Sequence, residues 1–407
     1  MLVNNCSDKF CRVCLSSNIS ELISFGEQPD SSHLLVAKSS KFYAHDLSLK
    51  YCKDCGFVFI RDYVCPDMLY NEYKWVTSVY PASHVSDLCQ ELIKEFSDSE
   101  DFILDIGSND GYILKLFQDK GFNNVLGIEP AVDCYNKALA NKVPTINNYF
   151  SFGLSNELKI KYGIPKLIIC RHVLEHISEL EDFLRGLDYL MDSSTLLVVE
   201  FPDFEAISEK GDISSIWEQH VNYFTEYTFS CILKRFNLSI IKKQSVPYGG
   251  GSIILYIRKN NNIKQNNNII ALADRPKIFT DNSIKNIEYI SRFFENLKLS
   301  GNRIVAYGCG ARGRCLINIT EIFKYLDYVI DDDPLKAGSY MPGSLLPVFT
   351  PEKLYEDMPD YCFITPLNSK DTEMKIIKSH SKFIECGGKF IEMYPNSSKK
   401  LIEISNT

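Results

Sequence analysis

The fold turns on ILDIGSNDGYIL, residues 103–114: a short apolar strand, a turn carrying Gly107 and Gly111, and an apolar run that resumes at helical spacing. Strand, glycine turn and helix in that order open a doubly wound unit. Working outward, apolar runs and amphipathic segments keep alternating: FILDIG, GYILKLFQDKG, NVLGIEP, AVDCYNKALANK, KLIICRH, a helix from about Ser178, and TLLVVEF. This alternation predicts a parallel sheet covered on both faces by helices.

Glycines at the C-terminal edge of such a sheet let backbone and ligand approach closely. The next strand ends in Gly127-Ile128-Glu129-Pro130, which sets a carboxylate about 20 positions further on, where it suits ribose hydroxyls. Asp105, Gly107, Asn109, Asp110, Gly111 and Glu129 are therefore the candidate cofactor contacts. The turn lacks the GxGxxG spacing of a pyrophosphate site, and Asp110 would repel one. A cationic sulfonium with an adenosine and an amino-acid tail, S-adenosylmethionine, fits better.

Two more strands, LSIIKKQSV and SIILYI, precede an Asn-rich stretch from Arg258 that reads as a linker or exposed loop. A long helical pattern around Ile284 to Leu299 leads into a second alternating unit: RIVAYG, a helix after Gly313, YLDYVIDDD, YCFITP, a helix near Lys375, and KFIEMYP. Here Gly308, Gly310 and Gly313 form a true GxGxxG, and Asp331 ends the following strand. Arg312 and Arg314 would add cationic donors for phosphate. The glycines equally suit tight strand-to-helix packing with no ligand.

The chain has 407 residues, 45% hydrophobic and 24% charged, which implies a globular protein of two or three domains. A net charge of −8 argues against a nucleic-acid surface and points to a small-molecule partner. The start, MLVNNCSDKFCRVC, lacks an apolar signal region, and no later run is apolar enough to span a bilayer, so a cytoplasmic protein with no membrane partner is expected. Of 14 cysteines, most are scattered in apolar strands. Cys11 and Cys14 form one CxxC pair, and Cys52 and Cys55 another, the pattern of two knuckles closing a tetrahedral structural Zn²⁺.

Proton chemistry has two candidate stretches. CRHVLEHI puts His172, Glu175 and His176 near the same sheet edge, and IWEQHVNYF, residues 216–224, lies in a long acidic and aromatic loop after the fifth strand. His220 is the natural base, with Glu218 or Gln219 to orient it. Alternatively Trp217 and Phe224 anchor a core in which His220 is only hydrogen-bonded.

Taken in order, CRVC…YCKDCGFVF, NEYKWVTS, LDIGSNDGYIL, GIEP, VLEH, the histidine of WEQH followed by YF, GGGSIILYI and YGCGARGRCLIN…VIDDDPLKAGSYMPGSLLPV resemble the sugar C-methyltransferases that act on nucleotide-linked deoxy-ketosugars. The resemblance covers nearly the whole chain. It implies an α/β protein made of a zinc-binding domain (1–85), a class I S-adenosylmethionine-dependent methyltransferase domain of Rossmann-like fold (86–260) and a C-terminal Rossmann-like domain (261–407). It matches Cys11, Cys14, Cys52 and Cys55 to the zinc ligands, and the residues named above, with His172, to the cofactor site. His220 matches the last histidine of a Tyr-His-Glu-His motif implicated in proton abstraction, with His176 and Glu218 near the acceptor. Tyr73, Trp75, Trp217, Gly308, Gly310, Arg312, Gly313, Asn318 and Asp331 become candidate substrate contacts.

In that family a base removes the proton beside a ketone, and the enolate attacks the sulfonium methyl. This sequence departs from the motif, with Trp217, Glu218 and Gln219 in place of Tyr, His and Glu, and with Tyr73 and Trp75 where two tyrosines are usual. The implied protein is a monomer or homodimer that methylates carbon on a nucleotide sugar. An O-methyltransferase and a non-catalytic scaffold are the alternatives.

Overall fold

A computed structural model describes residues 6–7, 9–31, 33–63, 77–78, 81–96, 98–259, 275–393 and 402–404. Tyr73, Trp75 and nearly all of the Asn-rich stretch lie outside the described residues.

The N-terminal module is an antiparallel sheet. Strands β1 (Cys6–Ser7) and β5 (Asp62–Tyr63) pair with each other, while β2 (Ile19–Pro29), β3 (Ala44–Cys52) and β4 (Val58–Ile60) pair in chain order. The central unit follows with β6 (Ile103–Ile106), β7 (Val125–Ile128), β8 (Thr145–Ile146), β9 (Leu167–Arg171) and β10 (Leu196–Pro202), all parallel. β11 (Asn222–Tyr223) leaves this unit and pairs antiparallel with β4. β12 (Leu238–Val246) and β13 (Ser252–Lys259) complete a seven-stranded sheet of order β12-β13-β10-β9-β6-β7-β8.

Side chains of the central strands alternate between two cores, as a period of two requires. Ile103, Leu167, Ile169, Leu196 and Val198 face the helices Ser83–Glu95 and Tyr112–Gln118. Leu104, Ile168, Leu197 and Val199 face Phe152–Tyr162 and Leu180–Leu190. Both faces are covered, so the turns at the strand ends remain the place for a ligand.

The C-terminal unit starts with the helix Arg275–Leu299 and continues with β14 (Ile304–Tyr307), β15 (Val329–Ile330), β16 (Val348–Phe349), β17 (Tyr361–Ile364), β18 (Lys389–Glu392) and β19 (Ile402–Ile404). Their order is β16-β15-β14-β17-β18-β19, parallel except at β19. The mixed α/β architecture is thus two Rossmann-like units behind a small cysteine-bearing module. Among the described residues no helix is long and apolar enough to cross a membrane.

Three local expectations change. β13 runs antiparallel to both its neighbours, β10 and β12, because the short Pro247–Gly251 connection cannot make the crossover that parallel pairing of β12 and β13 needs. The helix expected after Gly313 begins at Ala311, with Gly313 inside it: a Cβ there would lie 2.7 Å from Thr365 Oγ1, so close packing overrides glycine's poor helix propensity. The loop after β10 is in part ordered structure, holding the helix Phe204–Lys210 and β11.

The modules share cores. Cys11, Cys52, Phe57 and Phe59 belong to the same buried cluster as Phe224 and Phe229, and the Phe57 and Phe224 rings are 5.1 Å apart. Phe57 is fully buried. Phe57→Ala is expected to cost about 3–5 kcal/mol of stability, read from the midpoint of urea unfolding.

Candidate active site

At the end of β6 the chain turns sharply. Gly107 (φ 73°) and Gly111 (φ 77°) take the left-handed conformation, and a Cβ on Gly107 would fall 2.3 Å from Val173 Cγ2. This packing ties the turn to the loop that carries His172 and His176. Asn109 is also left-handed (φ 53°), and its N–H donates to Glu129 Oε2 at 2.8 Å, while Ala131 N–H donates to Glu129 Oε1 at 2.8 Å. Burial raises the Glu129 pKa, and these two N–H groups counter part of that rise.

Asp110 is buried, with Oδ2 accepting from Ser78 N at 3.3 Å and Oδ1 lacking a hydrogen-bond partner. Asp105, enclosed in the sheet, is pushed up to about 8 by burial. An acidic, glycine-opened cradle with an orphaned buried carboxylate oxygen fits a cationic sulfonium and ammonium ligand. Gly107, Asn109, Asp110, Gly111 and Glu129 therefore converge on one sheet edge. Asp105 lies one turn deeper.

Beside them stands a buried charge network that the sequence reading did not include. Glu200, at 0% exposure on β10, accepts from Arg171 Nε at 2.5 Å, and its Oε1 meets His84 Nε2 at 2.8 Å and His172 Nε2 at 3.1 Å. His172 also reaches Glu175 Oε1 through Nδ1 at 3.1 Å. Only an imidazolium can donate from both nitrogens. Burial opposes that charge, but Glu200 and Glu175 outweigh it and raise His172 to about 9. His172 is thus a structural cation between two carboxylates, placed by a left-handed backbone (φ 52°). The visible signal was Glu200 itself, an acid at the end of the apolar run TLLVVE.

The WEQH stretch is clamped against this loop. Val221 N–H donates to Glu175 O at 2.7 Å, Asn222 Nδ2 donates to Leu174 O and Ile177 O, and His176 Nδ1 meets Gln219 O at 2.8 Å. His176 and His220 stand edge to face with centroids 4.9 Å apart, and Trp217 lies over His220 at 3.7 Å. Burial, then His176, His172 and Arg312, hold His220 well below the usual histidine range. Burial also lowers His176, although Glu175 and the Gln219 carbonyl pull it back up. Both shifts favour the neutral imidazole at physiological pH.

Glu218 does not orient His220 as expected. Its carboxylate accepts from Ser31 N at 3.1 Å and Ser31 Oγ at 2.8 Å, and burial beside Asp30 pushes it up to about 7. The carboxylate that does cluster with His176 and His220 is Glu175, each offering an atom within 4.8 Å of the others.

In the C-terminal unit, Arg312 is not free for phosphate. Its NH2 donates to Asp212 Oδ2 at 2.7 Å and Ser214 Oγ at 2.9 Å, and its NH1 to Leu367 O. The buried Asp212 and Ser214 belong to the loop leading to Trp217, so the guanidinium fastens the two units together. Gly250 of the GGGS run makes room: a Cβ would fall 2.8 Å from Asp212 Oδ2 and 3.0 Å from Arg312 NH2.

Asp331 accepts from Cys309 N at 2.7 Å and from Lys336 Nζ at 3.0 Å, so its carboxylate braces the glycine turn. Gly308 and Gly313 both pack against Thr365, as the packing alternative required, whereas a Cβ on Gly310 would meet open space. Asn318 donates to Pro342 O and keeps a buried Oδ1 without a partner. Arg314 likewise donates to His33 O.

The four cysteines converge. Cys11 and Cys55 sulfurs are 3.6 Å apart and those of Cys14 and Cys52 3.5 Å apart. Four thiolates about 2.3 Å from a tetrahedral ion stand about 3.8 Å from one another, so the set fits a structural Zn²⁺ with no open position. Between the first two cysteines, buried Arg12 donates from NH1 to Val221 O at 3.0 Å and Asn222 Oδ1 at 2.8 Å, and from NH2 to Ile60 O.

Three family models match the chain in succession: "Putative zinc binding domain" over residues 11–70, "Methyltransferase domain" over 82–243 and "C-methyltransferase C-terminal domain" over 247–395. A full-length relative, the C-methyltransferase NovU of Streptomyces niveus, is 24% identical over a match covering 95% of each chain. Among solved structures, the magnesium protoporphyrin IX methyltransferase ChlM of Synechocystis PCC 6803 is 16% identical over 43% of this chain and 78% of its own, with a TM-score of 0.33. A SAM-dependent methyltransferase of Anabaena variabilis is 13% identical over 44% and 86%, with a TM-score of 0.36.

The protein is an S-adenosylmethionine-dependent methyltransferase. Within that class, the three domain models in this order and the match over 95% of the chain make it similar to the C-methyltransferases.

Two outcomes test this site. Stripping the metal, or Arg12→Met, is expected to unseat the WEQH stretch and lower activity together with the thermal midpoint; metal analysis should return about one zinc per chain. Because the pKa of His172 is higher folded than unfolded, its contribution to stability is complete below about pH 6.5 and disappears as pH rises to about 9. A His172→Asn variant should flatten the fall in thermal midpoint across that window.

Proposed function

We propose that this enzyme methylates carbon, placing the methyl group beside the ketone of a nucleotide-linked keto-deoxysugar. The observation that supports this most directly is the pair of neutral imidazoles, half-buried His176 and buried His220, beside the cofactor turn. Attack by carbon needs a C–H proton removed first, and a neutral imidazole shielded from water suits that task. The bound cofactor supplies an electrophilic methyl group on its sulfonium.

His220 takes the proton from the carbon next to the carbonyl, and the electron pair of that C–H bond passes into the enolate. Trp217, packed at a tilt against His220, fixes the ring and presents an apolar wall where the family motif carries a phenol. Gly107 to Gly111 and Glu129 are the residues that would hold the cofactor, which would supply the methyl group, and positioning of the two reactants would contribute most of the rate. Asp110 and Glu129 face the ligand's positive and hydroxyl groups, while the imidazolium of His172 keeps the adjoining loop in place. In the C-terminal unit, the open N-terminus of the helix Ala311–Ile319 at Gly310 is what remains for the nucleotide half of the substrate, together with Asn318. Trp217, Tyr73 and Trp75 are the aromatic candidates for substrate contact.

Incubation with methyl-labelled cofactor and a panel of nucleotide keto-sugars, with non-keto controls, tests the reading. Label should enter a carbon-bound methyl group of a keto-sugar, and the adjacent hydrogen should exchange with deuterated water when the demethylated cofactor is bound. His220→Ala should keep cofactor affinity and lose about 10²-fold or more in turnover. Label on a hydroxyl of the non-keto controls would replace this reading with O-methylation.

A further inference from the structure

Glu175 has no assigned part, yet its surroundings give it one. The side chain is buried, at 2% exposure. Its Oε1 is taken by the His172 imidazolium at 3.1 Å, while its Oε2 is buried with no hydrogen-bond partner. A carboxylate and one nitrogen each of His176 and His220 lie within 4.8 Å of one another. An orphaned carboxylate oxygen is costly, and the carboxylate that carries it lies beside two imidazoles that are neutral at rest.

We propose that Glu175 is the positioning residue that lets the His176–His220 pair hold one proton during turnover. This rests on the reading of His220 as the base. When the substrate C–H bond breaks, its electron pair goes to the enolate oxygen and its proton to the pair. The site then carries an imidazolium enclosed in protein, and the free oxygen of Glu175 is the negative group that offsets it. Among the described residues no other carboxylate clusters with this pair, and on the WEQH side Glu218 is held by Ser31.

The charges acting on the pair support that assignment. His220 faces His176, His172 and Arg312, all of which oppose a proton on it, while a backbone hydrogen bond to Ser215 favours one. His176 faces His172, which opposes a proton, but also Glu175 and the Gln219 carbonyl, which favour one. His176 is therefore the better resting place for the proton, and Glu175 acts mainly through it. The backbone of Glu175 serves the same end, since its carbonyl holds Val221 next to His220.

The test needs no substrate. In zinc-loaded enzyme with histidines labelled at Cε1 and with S-adenosylhomocysteine bound, the two resonances, assigned through His176→Ala and His220→Ala, are titrated by NMR. Loss of an opposite charge at this range should lower the first protonation midpoint of the pair by about one pH unit or more in Glu175→Gln. Glu175→Asp should restore most of it. Equal midpoints in wild type and Glu175→Gln would overturn the proposal, as would a pair that stays neutral down to acid unfolding in both. A second metal ion per chain that disappears in His220→Ala would also overturn it, because the three groups would then be ligands. A lowered midpoint alongside failure of every keto-sugar would retain the charge role and reject the substrate reading. On a methylated substrate, Glu175→Gln should lower kcat about 10²-fold at little change in KM.

Discussion

The structure depends on one small clamp, the grip on Val221 and Asn222. The Val221 amide is held by the Glu175 carbonyl, its carbonyl by Arg12, and the Asn222 side chain by Leu174, Ile177 and Arg12. A stretch of two residues cannot form a stable strand alone. Here it bridges two sheets, because β11 pairs with β4 while its neighbours are tied to the loop after β9. The zinc module is therefore part of the wall of the candidate site. Arg12 rides between two metal ligands, so the metal fixes a guanidinium, the guanidinium fixes Val221, and Val221 fixes His220.

Charge is handled in the same connected way. Glu200, Arg171, His172 and Glu175 form a buried chain in which each charge has a partner of opposite sign, and only the last carboxylate oxygen is left open. Across the site, Asp212 and Arg312 form a second buried pair between the units. Breaking such a pair exposes a desolvated charge, whereas keeping it sets one relative position of the units. The middle glycine of GGGS is explained by this pair, since Gly250 has no room for a side chain beside it.

Much of this was legible in the sequence, for physical reasons. Periodicity gives away strands and helices whose burial is one-sided or complete, so the central unit and the glycine turn at Gly107 were readable. The paired spacing of four cysteines needs only local geometry and was equally plain. What could not be read depends on partners far along the chain: Arg12 with Val221, Ser31 with Glu218, Asp212 with Arg312. Nothing in the local pattern of Arg312 separates a phosphate ligand from an interdomain tie. Glu218 and Glu175 show the same limit. Both are carboxylates near a histidine in sequence, and only the fold decides which of them faces the imidazoles.

The two Rossmann-like units share a device whose meaning reaches beyond this protein. In each, an acid at the end of the second strand accepts an N–H from the glycine turn after the first, Glu129 from Asn109 and Asp331 from Cys309. In the second unit a lysine already neutralises that acid. Such a residue is first a latch that holds an otherwise floppy turn in shape, and binding a sugar hydroxyl is a further use of an oxygen already in place. An acidic strand end following a glycine turn thus reports a folded loop more surely than it reports a nucleotide.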